Sequence, residues 1–239
     1  MAGFDTASTV TSSLRSTSDS AFGQPAFWIR YFSPCYYTAI NSSSSNANAE
    51  CEQIWSSGGH YLGCVTTPTQ SRLSGSSAEG QADAVTFVNA MISVYDDVGP
   101  LLLPSNGILY CWLDQEAATS LSLAYWNGWA GYLNGYEFNG AYPFFPGLYC
   151  NPNSAPPNCS IVDSASASYC WGVWSSEYQV CKNSVSSPPA WDSESCAVVA
   201  TKLWQYADQG VCFSNDVDLD LGASGFNTAS YCFNVSSNP

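Results

Sequence analysis

The sequence predicts an α/β fold: a (β/α)8 TIM-type barrel, regular or irregular, stapled by disulfides and built as one domain over residues 1–239. Three observations carry this reading. Eight short apolar runs with strand character alternate with helical patterns in 239 residues, the size of one such barrel. Three of the runs carry carboxylates at their ends, where a barrel places its reactive side chains. Eleven cysteines occur without any CxxC spacing, a pattern of oxidising compartments rather than of zinc sites. An open doubly wound sheet is the rival, but neither a GxGxxG nor a P-loop supports its nucleotide-binding form.

The predicted strands are 3–6, 26–32, 61–66, 107–114, 141–150, 169–174, 202–206 and 216–221. Between them, Ser76 and Glu79 have the spacing of a capping box, and Val85, Val88, Ile92 and Tyr95 then recur at intervals of three and four. Leu121, Tyr125, Trp129, Tyr132 and Leu133 form a second helical stripe, and weaker helices are expected over 47–56 and 192–200. These aromatic stripes read as core rather than as ligand platforms. The Ser/Asn-rich residues 41–49 and the Pro-rich stretches 143–157 and 184–191 are too short for linkers and read as loops.

Five Lys and Arg against 19 Asp and Glu give a formal charge of −14, which leaves too little positive charge to displace counterions from a nucleic acid. A hydrophobic content of 46%, with 15% aromatic residues, argues against disorder, and no apolar run is long enough to span a bilayer. The cysteines and the sequons at Asn41, Asn158 and Asn234 point to a secreted, N-glycosylated product. The start MAGFDTAS lacks the basic and apolar regions of a signal peptide, so Met1 is expected to be an added start on a mature chain. The odd cysteine count leaves at least one thiol unpaired or paired between chains, with Cys111 the candidate for a buried free one. Cys150–Cys159 and Cys196–Cys212 are the pairs that short loops suggest. No metal and no cofactor are expected, and the chain is expected to be a monomer.

Asp5 ends the first strand, and Asp114 and Glu116 end the fourth. Residues two apart on a strand share a side, so Tyr110, Trp112, Asp114 and Glu116 line one face, with the two acids about 7 Å apart at the backbone. In the last strand Asp216, Asp218 and Asp220 alternate with Val217, Leu219 and Leu221. Crowded carboxylates raise one another's pKa, so one can stay protonated as a general acid while its neighbour stays ionised. Glycoside hydrolysis needs that combination. His60 is the sole histidine and no GxSxG elbow exists, so a triad would rest on one loop residue. The structural alternative is that these acids are turn or cap residues of an acidic protein. An EF-hand fails for 216–227, where position six is Leu221 and position twelve is Asn227, leaving only an irregular site for a calcium reading.

GFDT at 3–6, IRYF at 29–32, EGQADA at 79–84, LYCWLDQE at 109–116, LWQY at 203–206 and VDLDL at 217–221 occur in order. Together they resemble the glycoside-hydrolase-like domain family 1906 of unknown function, in its fungal secreted branch, and more distantly the lysozymes of glycoside hydrolase family 25. The resemblance spans the chain and implies a barrel with its site at the strand C-termini. Carried over by motif, the GxD, DxE and VDxN acids of the lysozymes fall on Asp5, Asp114, Glu116 and Asp218. Glu116 would be the general acid, and Asp114 would position or polarise a neighbouring group such as a substrate 2-acetamido. Asp5 and Asp218 would tune the charge. Arg30, Tyr31, Trp112, Trp204, Gln205 and Asp220 would bind substrate, with Arg30 among the acids. Thr6 and Asp220 depart from the lysozyme pattern, which has a β-branched hydrophobe and Asn there.

The expectation is a secreted glycoside hydrolase acting on a cell-wall-type polysaccharide, N-acetylated or not. The alternatives are a non-catalytic carbohydrate-binding protein on the same barrel and a disulfide-stapled cell-wall interaction protein. The DxE pair favours catalysis, because a lectin has no need of a protonated acid beside an ionised one.

Overall fold

A computed structural model describes the chain except residues 41–43, 98–100, 117–119, 139, 142, 154–157, 177–180 and 237–239. Its strands and helices follow in the order β1 (Ala2–Thr6), α1 (Ser12–Phe22), β2 (Trp28–Tyr31), α2 (Ser44–Ser56), β3 (Tyr61–Thr66), α3 (Gln70–Leu73) and α4 (Ser77–Asp97). Then come β4 (Leu101–Leu102), β5 (Leu109–Asp114), α5 (Leu123–Gly135), β6 (Phe144–Cys150) and β7 (Gly172–Ser175). The chain closes with β8 (Thr201–Ala207), β9 (Asp218–Gly222), α6 (Thr228–Tyr231) and β10 (Phe233–Val235).

Eight strands form a closed ring in the order β1, β2, β3, β5, β6, β7, β8 and β9, because β2 pairs with β3 and β9 pairs with β1. All run parallel except β9, which is antiparallel to both neighbours. Each of the eight expected strand regions holds a barrel strand. The short β4 and β10, which extend the sheet beyond β3, carry too few residues to show a period.

Alternation along the strands divides the core in two. Ile29, Tyr31, Val65, Tyr110, Trp112, Tyr149, Trp174 and Leu203 fill the barrel interior, while their neighbours pack outward under the helices. A side chain at Gly147 would overlap the Trp112 ring, so the small residue makes room for its large register partner on the neighbouring strand.

The helices cover only the first half of the ring. In α4 the capping box forms as expected: the Ser76 amide donates to Glu79 Oε2 at 2.8 Å and the Glu79 amide donates to Ser76 Oγ at 3.3 Å. Helices α4 and α5 touch through reciprocal glycines. A Cβ at Gly80 would overlap the Tyr125 carbonyl, and one at Gly128 the Ser77 carbonyl. Helix α1 escapes sequence reading because its Ser-rich surface buries only Ser18 and Phe22, although Thr11 caps it by accepting from the Leu14 amide.

From β6 onward the connections are irregular. Residues 192–200 are not helical, contrary to expectation. The Asp163 carboxylate takes the Ala197 and Val198 amides, which a helix would have needed for itself. Cys159–Cys196 joins the β6–β7 connection to the β7–β8 connection, and Cys181–Cys212 joins the latter to the β8–β9 connection. These replace the pairs Cys150–Cys159 and Cys196–Cys212. Proximity in sequence misleads here because the barrel brings successive connections together. Cys111 is a buried free thiol, as expected, and Cys35, Cys51, Cys64, Cys150, Cys170 and Cys232 are also free. Asn41 lies outside the described residues. The Asn234 amide nitrogen donates to the Leu103 carbonyl at 3.3 Å. Among the described residues no helix is long and apolar enough to cross a membrane.

Candidate active site

The site sits where β1, β5, β6, β8 and β9 meet at one end of the barrel. Asp5 lies near the C-terminal end of β1, and Asp114 is the last residue of β5. Because β9 runs the other way, it reaches this end with its beginning, which brings Asp218 and Asp220 to the same level. The last strand therefore contributes acids from its start, not from its C-terminus as a regular barrel would. No crossover helix separates β8 from β9, so the chain turns straight back and the strand must be antiparallel. Asp5 is the direct cross-strand partner of Asp218, and Gln205 that of Asp220.

Asp5, Asp114, Asp218 and Asp220 are buried, and Glu116 is exposed. Asp216 lies outside β9 and is exposed, so it leaves the predicted alternating series. The strongest Coulombic neighbours of the site acids are one another and Asp208, with no cation among them.

Burial and mutual repulsion therefore hold protons on the cluster. Burial raises the Asp5 pKa far above the carboxylate range, and the Asp220 charge and hydrogen bond raise it further. Burial also lifts Asp220, to about 8, against the opposing hydrogen bonds from Asp5 and the Trp174 indole. The Trp174 Nε1 donates to Asp220 Oδ1 at 2.8 Å. Asp218 is raised by burial and then by Asp5, while the Gln209 amide, donating at 2.6 Å, acts in the other direction.

Asp114 is raised by burial and by Glu116, with hydrogen bonds from Thr67 and Tyr31 favouring its anion. The Tyr31 hydroxyl donates to Asp114 Oδ2 at 3.3 Å. The exposed Glu116 turns its carboxyl towards Tyr149. Desolvation of that tip raises it, Tyr149 opposes and Asp208 adds to the rise. The Tyr149 hydroxyl is 2.8 Å from Glu116 Oε1 and 2.5 Å from Gln205 Oε1. One hydroxyl proton cannot serve two acceptors. It goes to Glu116 when that group is ionised, and to Gln205 when Glu116 is protonated and donates. Tyr149 thus has a partner for both states of the acid.

The predicted residues divide clearly. Asp5, Asp114, Glu116, Asp218, Asp220, Tyr31 and Gln205 come together. Trp112 lies in the same interior, buried beneath them and stacked on Tyr110 at 5.2 Å. Arg30 and Trp204 do not join. Arg30 follows the inward Ile29 and precedes the inward Tyr31, so it must point outward. There its Nε donates to Glu50 Oε1 at 2.5 Å, and its other nitrogens donate to the Thr6 and Thr38 carbonyls. Trp204 belongs to the outer core for the same reason and meets Trp191 and Tyr206 edge-on. The sequence reading missed Thr67, Tyr149 and Trp174. Tyr149 had a weak positional signal, since it lies one residue before the end of its strand; its register pairing with Asp114 came only with the fold.

As a metal centre the cluster is poor. Among the described residues, the one Cys/Asp/Glu/His group close enough to share an ion is Cys159, Asp163 and Cys196. Its sulfurs are joined in a disulfide and its carboxylate accepts two backbone amides.

No family model matches the sequence, and no curated protein does. Two solved structures are similar. One is an uncharacterized B. stearothermophilus protein, with a TM-score of 0.71 and 20% identity over 97% of this chain and 100% of that one. The other is the Clostridium perfringens spore cortex lytic enzyme SleM, with a TM-score of 0.51 and 14% identity over 93% of this chain and 67% of that one. At these identities the likeness is one of fold alone.

Proposed function

We propose that the chain is a secreted glycoside hydrolase of cell-wall-type polysaccharides, with Glu116 as general acid. The observation that carries this reading is the contrast within one cluster. Glu116 alone reaches solvent at the mouth, while Asp114, Asp5 and Asp220 are sealed beneath it. A proton on Glu116 passes to the leaving glycosidic oxygen, and Tyr149 keeps the emptied carboxylate hydrogen-bonded. Asp114 is the second carboxyl of the pair: burial and Glu116 oppose its ionisation, the Tyr31 and Thr67 donors favour it, and its anion would stabilise the oxocarbenium-like carbon or orient a 2-acetamido group. Asp5, Asp218 and Asp220 hold protons and limit the negative charge against which Asp114 must ionise. A fold similar to that of a spore cortex lytic enzyme, and motifs that resemble those of family 1906 and the family 25 lysozymes, support a cell-wall substrate.

The test is a screen of peptidoglycan, chitin, β-glucan and galactosaminoglycan with product analysis, run on the wild type and Glu116→Gln. Loss of a general acid lowers kcat by about 10²–10⁴ and spares binding. Unchanged turnover in Glu116→Gln removes the assignment. Binding by the wild type with no product from any polymer favours the carbohydrate-binding alternative.

A further inference from the structure

The opposite end of the barrel carries aromatic side chains that neither the core nor the acid cluster uses. Trp171, immediately before β7, is 44% exposed and Tyr169 is 52% exposed. Trp171 lies flat on Phe145, the second residue of β6, with ring centroids 4.4 Å apart and planes 9° from parallel. Its indole N–H donates to Asn134 Oδ1 at 3.0 Å, its amide donates to the Pro146 carbonyl at 2.9 Å, and its carbonyl accepts from the Tyr110 hydroxyl at 3.2 Å. The ring is thus fixed with one face covered and the other facing out. Beside it, Asn134, Gly135, Phe144 and Phe145 line a cavity of about 400 Å³. Tyr169 has φ 50°, a left-handed conformation that an aromatic residue rarely adopts. Strain and an exposed aromatic at one point are features that folding alone does not favour.

We infer that this ledge is a second carbohydrate site, which takes the flat face of a neutral β-1,4-linked pyranose chain. The inference rests on the polysaccharide reading proposed above and adds a place where the polymer is held apart from the place where it is cut. None of Asn134, Gly135, Phe144, Phe145, Tyr169 and Trp171 carries a charge, which suits a neutral ligand. A β-1,4 chain is a ribbon whose axial C–H groups lie on planar faces, the shape that a rigid indole presents a match for. Asn134 spends its carbonyl on the indole and keeps its NH2 as a donor to a sugar hydroxyl. Phe145 precedes Tyr149 by four residues, and Tyr149 is level with Asp114, so the ledge lies about 13 Å along the barrel from the acids. Binding there leaves the acid cluster open.

The test titrates cellohexaose and chitohexaose by calorimetry into Glu116→Gln, which leaves the probe intact, and into the same chain with Trp171→Ala or Trp171→Phe. Trp171→Ala should weaken the ledge site by about tenfold or more, while Trp171→Phe, which keeps a flat ring, stays within about threefold of the parent. Melting temperatures equal to the parent's exclude a folding defect. Equal affinity in all three chains, or no binding of either probe by the parent, overturns the inference. In the Glu116-intact chain, Trp171→Ala should leave the turnover of short soluble substrates unchanged. Trp171-dependent binding without hydrolysis by the wild type sinks the enzymatic reading and leaves the ledge standing. Hydrolysis without Trp171-dependent binding does the reverse.

Discussion

Asp5 and Asp220 hydrogen-bond to each other through their carboxyls inside the barrel, with Trp174 donating to the far side of Asp220. Two carboxylates in contact cannot both be ionised, so the pair keeps a proton where free aspartates have lost theirs. In the unfolded chain both lose their protons near pH 4. The folded chain therefore binds more protons than the unfolded one from about pH 4 to about 8, the value for Asp220. Stability is full at the acidic end of that window and falls as pH rises, by about 1.4 kcal/mol per pH unit for each retained proton. The melting temperature should decline between pH 4 and 8. Asp220→Asn, which keeps the Trp174 bond, should make that decline shallower, and an unaltered slope would refute the shared proton.

The Tyr149 hydroxyl lies within hydrogen-bond distance of both Glu116 and Gln205. Tyr149→Phe keeps the ring and removes the hydroxyl, so Glu116 loses its fixed hydrogen-bond partner in both protonation states. A hydrogen bond to a charged group contributes about 1.5–3 kcal/mol. On a hydrolysed substrate, kcat should fall about tenfold to a hundredfold at an unchanged melting temperature, with KM nearly constant. A change confined to KM would place Tyr149 in substrate binding instead.

The contact between α4 and α5 admits no side chain at Gly128, because a Cβ there would overlap the Ser77 carbonyl. Backbone is the neighbour, so no rotamer change relieves the clash. Gly128→Ala should cost about 1–3 kcal/mol in denaturant unfolding, although Ala is the better helix former. A neutral or stabilising result would mean that the helices are further apart than described.

Two disulfides tie the connections that follow β6 together, across sequence separations of 37 and 31 residues. Intact mass measured without reduction should be four hydrogens lower than that of the reduced chain. Replacing Cys181 and Cys212 together by Ala should cost about 2–4 kcal/mol, since that cross-link limits the unfolded chain. A mass deficit of ten hydrogens would show that the buried thiols are also paired.

Local chemistry made the framework readable in the sequence. Short apolar runs located all eight barrel strands, and Ser76 with Glu79 announced α4, because a capping box acts within one helical turn. Period-two alternation placed Asp114 with Trp112 and Tyr110 on the inner side. The same rule, applied to IRYF and LWQY, sends Arg30 and Trp204 outward, because Ile29, Tyr31 and Leu203 face the interior.

Composition, strand positions and the acids themselves were thus determined by the sequence, because each depends on residues a few places apart. Tertiary structure alone decided the direction of β9, the cysteine pairing, the meeting of Tyr149 with Glu116 and Gln205, and the proton shared by Asp5 and Asp220. Asp5 and Asp220 stand more than 200 positions apart in the chain. Only ring closure between β1 and β9 removes the water between them, and without that loss of solvent their charges would scarcely interact.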